Sequence, residues 1–579
     1  MRFLLSLAVG LFLAVSVARA ADKDPIRFLP NATDVVVKIE KPHQLVEALL
    51  RHPLAKEAQE LQIVRDFLDS ADFRRFFQLV AHFEKELGAP WPELIDKLAG
   101  GGVAAGLKIG EGNNAPLLVA VQGTDEKTVT RFFDMGLALF EEELTRQGAK
   151  EMPKRQKYAG VEVVEFTKEL LAARIGDAIL LANKSEPMKA ALDQYEADQL
   201  SDKSKNPERR ATAESKKILP PNPDAWLWLD LKRLKELPDV KALFTTPRDN
   251  VILTFLFAGY LDVGRRSDFI AAGFYHDKGD FRLSVRAPAG RDGMATDVEL
   301  HLPRDPKVGG TLPLLEPKGV LATHSFYLDL NTLYQKREAI LPPQVAKDFA
   351  EQEKQISRFL LGTTLPKFLS QLGVHYRLVA TKPEKVESYK IEPDQRLPAF
   401  AAVLSMRDPQ FAKSMNAFIK AGVAALGSQI STRSWEEEIG GYPAFGYSFP
   451  EKGKFIDDPN NLRFNYQPVF VVVKDQYVAA SNKGLAKELV AILEKEDRSK
   501  LMNQNMQFKA YASGLGDFIY TSADQALAGT ILGQGLKLGA AREQTNALFA
   551  FLQKLGTVSL ETDYTANEFR FDLQWKTKK

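Results

Sequence analysis

The chain contains no cysteine. This absence excludes disulfide bonds, thiolate nucleophiles and cysteine-ligated metal sites. It also excludes the lipid anchor of a lipoprotein, which requires a cysteine directly after the signal sequence. Large secreted eukaryotic proteins often contain disulfides, so the composition is more typical of a bacterial cell envelope protein.

Motifs of common catalytic and cofactor sites are missing as well. Neither an H-E-x-x-H zinc motif nor a G-x-S-x-G nucleophile elbow occurs. Gly533–Gly539 lacks the spacing of a phosphate-binding loop, and Asp457–Asn461 lacks the closing glutamate of a calcium loop. The histidines are scattered, with no pair at ligand spacing: His43, His52, His82, His276, His301, His324 and His375. We therefore predict no catalytic, cofactor-binding or metal-binding residues.

Asp177 and Asp475 are the best acidic candidates, because they recur at matching positions of the two halves. Both precede a strand-like segment, where aspartate commonly forms hydrogen bonds to the local backbone. Catalysis by paired carboxylates stays open, since carboxylates distant in sequence can meet in space.

The chain also lacks a strong net charge and a long internal apolar run. Its net charge is +2 with 26% charged residues, whereas nucleic-acid binding requires a concentrated basic face. The longest later apolar run, Val251–Val263, is interrupted by Gly259 and Asp262 and is too short to span a bilayer. We expect no nucleic-acid partner and no stable transmembrane span after signal cleavage.

The amino terminus is typical of a cleaved signal peptide. A basic start at Arg2 precedes an apolar run from Phe3 to Val17, and Ala18-Arg19-Ala20 provides the small residues that signal peptidase requires. Residues 1–20 are therefore predicted to be removed during export to the periplasm or the extracellular space.

The most informative feature that is present is an internal repeat. Asp34–Glu40 has a counterpart at His324–Leu330, and further blocks follow in the same order in both halves. The paired blocks are Pro92–Leu98 with Pro366–Leu372, Val103–Leu107 with Val374–Leu378, Pro116–Val121 with Pro398–Val403, Gly176–Lys184 with Lys474–Lys483, and Asp280–Val285 with Glu568–Leu573. A recurrence in fixed order predicts a duplicated structural unit.

Each half alternates strand and helix patterns. Val35, Val37 and Ile39 alternate with their neighbours, and phenylalanine stripes, such as the one within Phe73–Leu87, have helical spacing. These patterns predict an α+β fold of two tandem homologous domains, each an antiparallel sheet with helices mainly on one face and repeated strand–helix units. The predicted division is a signal peptide at 1–20, a first domain at 21–302, a Pro/Gly-rich linker at 303–318 and a second domain at 319–579.

The chain resembles an uncharacterised family of large exported bacterial proteins that carry a domain of unknown function. The exported start, Leu29-Pro30 ahead of Asp34-Val-Val-Val-Lys-Ile39, Gly176–Asn183 and the strand–helix recurrences carry this resemblance. It implies a similar organisation over most of the mature chain and supplies no catalytic residue.

Three classes of function remain open. We favour a non-catalytic binding or structural protein of the bacterial cell envelope, whose partner is an envelope component, a polymer or a hydrophobic ligand. A lipid carrier would need an apolar cavity, and a hydrolase using Asp/Glu or Ser would need clustered carboxylates of raised pKa. Any site is expected between the halves or in the unshared loops Glu196–Lys217 and Glu451–Gln467, the first of which is predicted to be a mobile excursion.

Overall fold

The computed structural model describes residues 24–110, 115–146, 148, 152–200, 209–245, 251–295, 298–303, 305, 310–360, 363–425, 431–452, 458–514, 516, 527, 531 and 537–578. The predicted signal peptide, residues 1–20, lies outside this range. So does most of the glycine-rich segment at 533–539.

The chain divides into two compact units. The first comprises the described residues up to Leu243 together with Ser267–Pro288, and the second comprises Phe244–Arg266 together with Ala289–Lys579. The predicted linker at 303–318 therefore falls within the second unit. Its described part is packed there, since Thr311 pairs with Met502 in an isolated bridge, and Leu312 and Leu315 are each 1% exposed.

The first unit contains one antiparallel sheet built from β1 to β10. These strands are Val35–Ile39, Gly102–Leu107, Leu117–Gln122, Lys154–Tyr158, Val161–Thr167, Leu170–Ile175, Ala178–Ala182, Ala225–Asp230, Phe269–Asp277 and Asp280–Ala287. Their pairing gives the order β4-β5-β6-β7-β3-β2-β1-β8-β9-β10. Gly110-Glu-Gly-Asn-Asn114 between two strand patterns predicts a hairpin of Val103–Ile109 with Leu117–Val121. This prediction is confirmed, because β2 pairs with β3.

The second unit contains an antiparallel sheet built from β11 to β20. These strands are Val320–Tyr327, Leu372–Thr381, Ala399–Met406, Arg433–Ile439, Tyr442–Ser448, Val469–Val473, Gln476–Ala480, Met506–Tyr511, Thr557–Tyr564 and Phe569–Lys576. Their order is β14-β15-β16-β17-β13-β12-β11-β18-β19-β20. This is the order of the first unit with ten added to every strand number.

The helices of the first unit occupy the connections between its strands. They are α1 Pro42–Leu50, α2 Pro53–Gln59, α3 Gln62–Leu68, α4 Ala71–Leu87, α5 Trp91–Ala99, α6 Glu126–Arg146, α7 Ser185–Leu200, α8 Arg210–Ile218 and α9 Leu231–Leu234. Helix α10, Pro238–Thr245, spans the division between the units, and α11, Val251–Arg266, belongs to the second unit.

The remaining helices of the second unit are α12 Leu330–Ile340, α13 Pro343–Phe359, α14 Leu365–Gln371, α15 Gln410–Ala425, α16 Lys483–Lys495 and α17 Leu538–Lys554. Short 3-10 helices occur at Pro25–Phe28, Glu299–His301 and Leu462–Asn465. Among the residues that the structure describes, no helix is long and apolar enough to cross a membrane. The predicted combination of helices with antiparallel sheet is confirmed.

Helices pack on both faces of each sheet, so the expectation of helices mainly on one face is wrong. In β7, Leu180 packs with Met188 of α7, whereas its neighbour Ile179 packs on the other face with Leu94 of α5 and Phe132 of α6. The sequence carried this information, because a strand that is apolar at every position is typical of a sheet covered on both sides.

The second unit has the same two-sided packing. In β17, Val478 packs with α16, whereas Tyr477 faces α14 and α15, where its ring lies edge-on to Phe411 at 5.9 Å. Burial of one such side chain stabilises the fold by about 1.5–3 kcal/mol.

The polar stretch Glu196–Lys217 is more ordered than expected. Its beginning continues α7, and its end forms α8, in which Ala211, Thr212 and Ser215 are buried. Small side chains allowed this close packing without large apolar residues, which is why composition alone suggested a mobile excursion. Residues 201–208 lie outside the described part of the chain.

Candidate interaction surface

Four helices of the first unit, α1 to α4, form an excursion between β1 and β2. Its base is fixed by His52, which caps α2 by accepting a hydrogen bond from the Leu54 amide at Nδ1 over 3.1 Å. Nε2 must then carry the proton, and it lies 3.0 Å from the Gly279 carbonyl oxygen that accepts it. The ring also packs against Phe281 at 5.3 Å. His52 is therefore an anchor for the excursion, with both ring nitrogens engaged.

Helix α4 is anchored through its carboxyl-terminal half. Val80 and Phe83 are 5% and 2% exposed, and the Phe83 ring lies 4.6 Å from that of Phe132 in α6. The helix begins at Ser70, whose hydroxyl accepts a hydrogen bond from the Phe73 amide over 3.2 Å. Its amino-terminal half thus extends from a fixed base.

The amino-terminal half of α4 carries aromatic rings that the core does not cover. Phe73 contacts Phe77 at 4.8 Å and Phe67 of α3 at 5.1 Å, and Phe76 meets Phe77 edge-on at 5.6 Å. Ile63 lies four residues before Phe67, on the same face of α3. We call Ile63, Phe67, Phe73, Phe76 and Phe77 the α3–α4 aromatic surface.

This surface is open to solvent. Ile63, Phe67 and Phe77 are 78%, 61% and 53% exposed, and α3 contains no buried residue. Isolated exposed apolar side chains are common, but a contiguous group on adjacent helices marks an interaction site. Leu49 and Leu50 of α1 add further exposed apolar side chains to the excursion.

The corresponding helices of the second unit differ. Helices α12 and α13 lie between β11 and β12, as α1 to α4 lie between β1 and β2. Among the described side chains of α12 and α13, Ile356 is the exposed large apolar one, at 39%. The described side chains of α12 and α13 therefore form no matching aromatic surface.

Sequence reasoning identified the Phe73–Leu87 helix without separating its two halves. Phe76 lies seven residues before Phe83, on nearly the same face of the helix, and only the tertiary contacts explain why Phe83 is buried and Phe76 is half-buried. A usable signal was the repetition of apolar residues in α3, where Ile63 and Phe67 face the same way on a helix too short to form a core.

The candidate aspartates have structural roles. Asp177 Oδ1 accepts a hydrogen bond from Gln122 Nε2 over 2.7 Å, and Asp475 forms an ion pair with Arg498. The backbone oxygens of Asp177 and Asp475 accept from Gly123 and Met406 respectively, so both residues fix the turn before a central strand.

The pKa of the Asp34 carboxyl is raised above its usual value. Burial raises its pKa, while the Ile109 amide and Arg233 act in the opposite direction. Oδ2 accepts from the Ile109 amide over 2.8 Å, and Oδ1 lies 3.1 Å from Arg233 Nε. Neighbouring Asp230 accepts from the Arg233 amide and from Arg210. Asp34 Oδ1 thus forms an ion pair without a hydrogen bond, whereas the other carboxylate oxygens accept hydrogen bonds within the fold, and the arrangement does not resemble a catalytic pair.

The histidines do not converge. His324 Nδ1 lies 2.9 Å from the Gln507 carbonyl oxygen, and burial lowers its pKa. His375 lies edge-on to Tyr327, and His43 lies 3.7 Å from Glu47 and from Asp96. Within the described ranges, no group of three His, Asp or Glu side chains is placed to hold a metal ion.

A groove of about 570 Å³ lies beside β14 in the second unit. Lys420 of α15 crosses it, 3.0 Å from Glu436 and 4.9 Å from the centre of the Phe445 ring.

Of the expected loop Glu451–Gln467, the described part is closed. Asp458 accepts from the Leu462 amide over 2.7 Å and pairs with Arg463, and Phe464 is 1% exposed. The described part of this loop is therefore a turn held by these contacts.

The chain is not assigned to a family by its similarity to known proteins. No family model matches the chain, and no curated protein matches it. Among solved structures, the chain is similar in part to the treponemal protein TP0453. Crystal form IV aligns at 9% identity with a TM-score of 0.23, over 46% of this chain and 81% of that one. Form III aligns at 10% identity with a TM-score of 0.23, over 48% and 84%. These values are too low to assign a fold or a function.

Proposed function

We propose that this protein is a non-catalytic binding protein of the bacterial cell envelope, and that the α3–α4 aromatic surface binds an apolar surface of another protein. The observation that carries the proposal is the exposure of Ile63, Phe67 and Phe77 on helices whose base is anchored in the first unit. Covering these side chains by a partner would remove apolar area from water, at about 25 cal/mol per Å².

The charges around the surface favour a protein over an anionic membrane. Membrane-surface helices carry an excess of lysine and arginine on their polar face. The segment 62–87 has no such excess, because its charged residues are Arg65, Arg74, Arg75 and Lys85 against Asp66, Asp69, Asp72, Glu84 and Glu86. Phenylalanine together with arginine is typical of protein interfaces.

Site-specific photo-crosslinking in intact cells tests the proposal. A photoreactive phenylalanine analogue at Phe67 or at Phe77 should give the same discrete protein adduct in the envelope fraction. The analogue at Gln78, an exposed position next to Phe77 on a different face of α4, is the matched control and should give little adduct.

A second variant separates binding from folding. Phe67→Ser with Phe77→Ser should abolish the adduct formed from a probe at Ile63, while the unfolding midpoint of the protein changes little because both rings are exposed. Phe83→Ala should instead cost about 3–5 kcal/mol of stability, since Phe83 is buried. Lipid adducts, or equal labelling at Gln78, would contradict a protein partner.

The alternative functions receive less support. A lipid carrier needs a cavity between sheet and helices, but Leu118, Leu180 and Leu192 at that interface are 0–1% exposed and in mutual contact with the core. A hydrolase needs free carboxylates in a cleft, whereas Asp34 and Asp230 are engaged by arginines and backbone amides.

We also propose that the two units arose by internal duplication. The identical strand order of β1–β10 and β11–β20 supports this, and the paired sequence blocks fall on corresponding strands, such as β2 with β12 and β7 with β17. Crystal structures in which these strands fail to superpose in that order would contradict the duplication.

A further inference from the structure

The two units end in edge strands of opposite charge. Strand β4 pairs only with β5, and β14 pairs only with β15, among the described residues. An unpaired edge strand exposes backbone N–H and C=O groups, which can form hydrogen bonds with another strand. Strand β4 carries Lys154, Arg155 and Lys157, whereas β14 carries three consecutive glutamates, Glu436–Glu438.

Several of these charges are available. Within the described part of the chain, Lys154, Lys157 and Glu438 form no ion pair, and all three side chains are exposed. Like charges on one edge oppose pairing of β4 with β4 and of β14 with β14. Opposite charges on the two edges favour pairing of β4 with β14. Charges of either sign protect an exposed edge strand from pairing with another strand. Protection alone therefore does not explain why β4 is basic whereas β14 is acidic.

The side chains on each face of β4 also have counterparts on the same face of β14. Tyr158 of β4 faces α7, where its hydroxyl donates to Asp193 over 2.7 Å. Trp435 of β14 faces α16, where Lys483 Nζ lies 3.9 Å from the ring centre. On the opposite faces, Arg155 pairs with Glu141 of α6, and Glu436 of β14 pairs with Lys420 of α15.

These faces define a register. An antiparallel pair with Tyr158 opposite Trp435 places Lys157 opposite Glu436 and Arg155 opposite Glu438, all four on one face. Directly opposed residues of an antiparallel pair have Cβ atoms about 4.5–5.5 Å apart, close enough for ion pairing. The other face then brings Gln156 opposite Glu437.

We propose that the protein self-associates head to tail, with β4 of one copy adding to β14 of a second copy in this register. The contact is heterologous, because it joins different surfaces of identical chains, and it is able to propagate into a chain of copies. It uses residues distinct from the α3–α4 aromatic surface and is independent of the proposed function.

Charge exchange provides the test, with sedimentation velocity of the full chain at low and high salt. We expect the unchanged protein to self-associate at low salt and to dissociate as salt increases. The variant Arg155→Glu with Lys157→Glu has two acidic edges, and the variant Glu436→Lys with Glu438→Lys has two basic edges. Each alone should associate at least about tenfold more weakly. An equimolar mixture should associate again, because every contact then joins opposite charges.

Cysteine pairs test the register, since the natural chain contains no cysteine. Gln156→Cys with Glu437→Cys should form a ladder of disulfide-linked oligomers under mild oxidation. Gln156→Cys with Glu436→Cys is the matched control and should not form the ladder, because these side chains lie on opposite faces. A protein that stays monomeric at low salt overturns the proposal, as do charge variants that associate unchanged or an equal ladder from the control pair.

Discussion

At the residue scale, the second unit contains a buried charge network around Arg377. Arg377 is 1% exposed, and its guanidinium donates to Glu496, including Nη2 to Oε2 over 3.0 Å, and to Gln476. Arg498 lies nearby, where burial and the charge of Arg377 lower its pKa. Arg377 thus pairs with Glu496, and Arg498 pairs with Asp475.

This arrangement predicts unequal effects of removing either partner. Glu496→Gln should destabilise the second unit by about 3–5 kcal/mol, because it leaves Arg377 buried without a counter-charge. Arg377→Met should cost less, since Glu496 still accepts a hydrogen bond from Gln476 Nε2 over 3.0 Å. Urea unfolding monitored by fluorescence measures both. The exposed Glu392, which pairs with Lys385, is the control, and Glu392→Gln should leave stability nearly unchanged because water screens the pair. Equal losses from all three variants would contradict the network.

At the element scale, α4 is defined by its caps more than by its propensity. Ser70 satisfies an amide at its start, and Gly88 ends it with φ +72°, a left-handed conformation that side chains with a Cβ adopt at a cost. The same helix contributes buried rings at one end and the aromatic surface at the other. Its position therefore determines the geometry of the candidate site.

Two glycine-to-alanine substitutions with opposite expected effects on stability test this role of the helix caps. Gly88→Ala should destabilise the protein by about 1 kcal/mol through backbone strain, although no atom lies within 4 Å of the added Cβ. Gly136→Ala in α6 also meets no atom within 4 Å, but it should stabilise by about 0.5–1 kcal/mol, because its helical backbone suits alanine. Thermal unfolding distinguishes them, and shifts in the same direction would contradict the assignment of Gly88 as the helix end.

At the scale of the whole molecule, the units do not follow the order of the sequence. Residues 244–266 come between β8 and β9 of the first unit but belong to the second. In α11, Gly259 approaches Tyr564 so closely that a Cβ would lie 2.8 Å from its hydroxyl oxygen, and Tyr260 packs edge-on to Phe569 at 5.9 Å. The second unit is incomplete without this helix.

Division of the chain tests this consequence. A fragment of residues 289–579 lacks α11 and exposes Tyr564 and Phe569, so it should aggregate when it is produced alone. The full chain, cleaved at a protease site inserted between Pro288 and Ala289, should remain one species in gel filtration, because the amino-terminal piece still supplies α11. A stable, monomeric fragment 289–579 with the unfolding midpoint of the intact second unit would contradict the assignment.

Much of the local structure could be predicted from periodicity. Alternation predicts two closing hairpins, Phe269–Tyr275 with Phe281–Arg286 and Val558–Tyr564 with Phe569–Trp575, and these are β9–β10 and β19–β20. The apolar stripes that begin at Val129 and at Phe411 predict helices, and they lie on α6 and α15. These predictions succeed because alternation and helical spacing are local properties.

A weaker strand pattern at Phe518–Tyr520 also predicts a strand, but these residues lie outside the described part of the chain. Strand β18, Met506–Tyr511, was not predicted. Mixed polar and apolar residues there gave a weak signal.

The sequence by itself determined the absence of thiol chemistry, the mixed α and β composition and the recurrence of strand blocks, because these depend on residue identity and short-range spacing. Only the tertiary structure decided that α11 belongs to the second unit, and that Phe77 is exposed whereas Phe83 is buried. Those outcomes depend on which distant segments meet, and the same apolar stripe serves a core or a surface according to what lies opposite it.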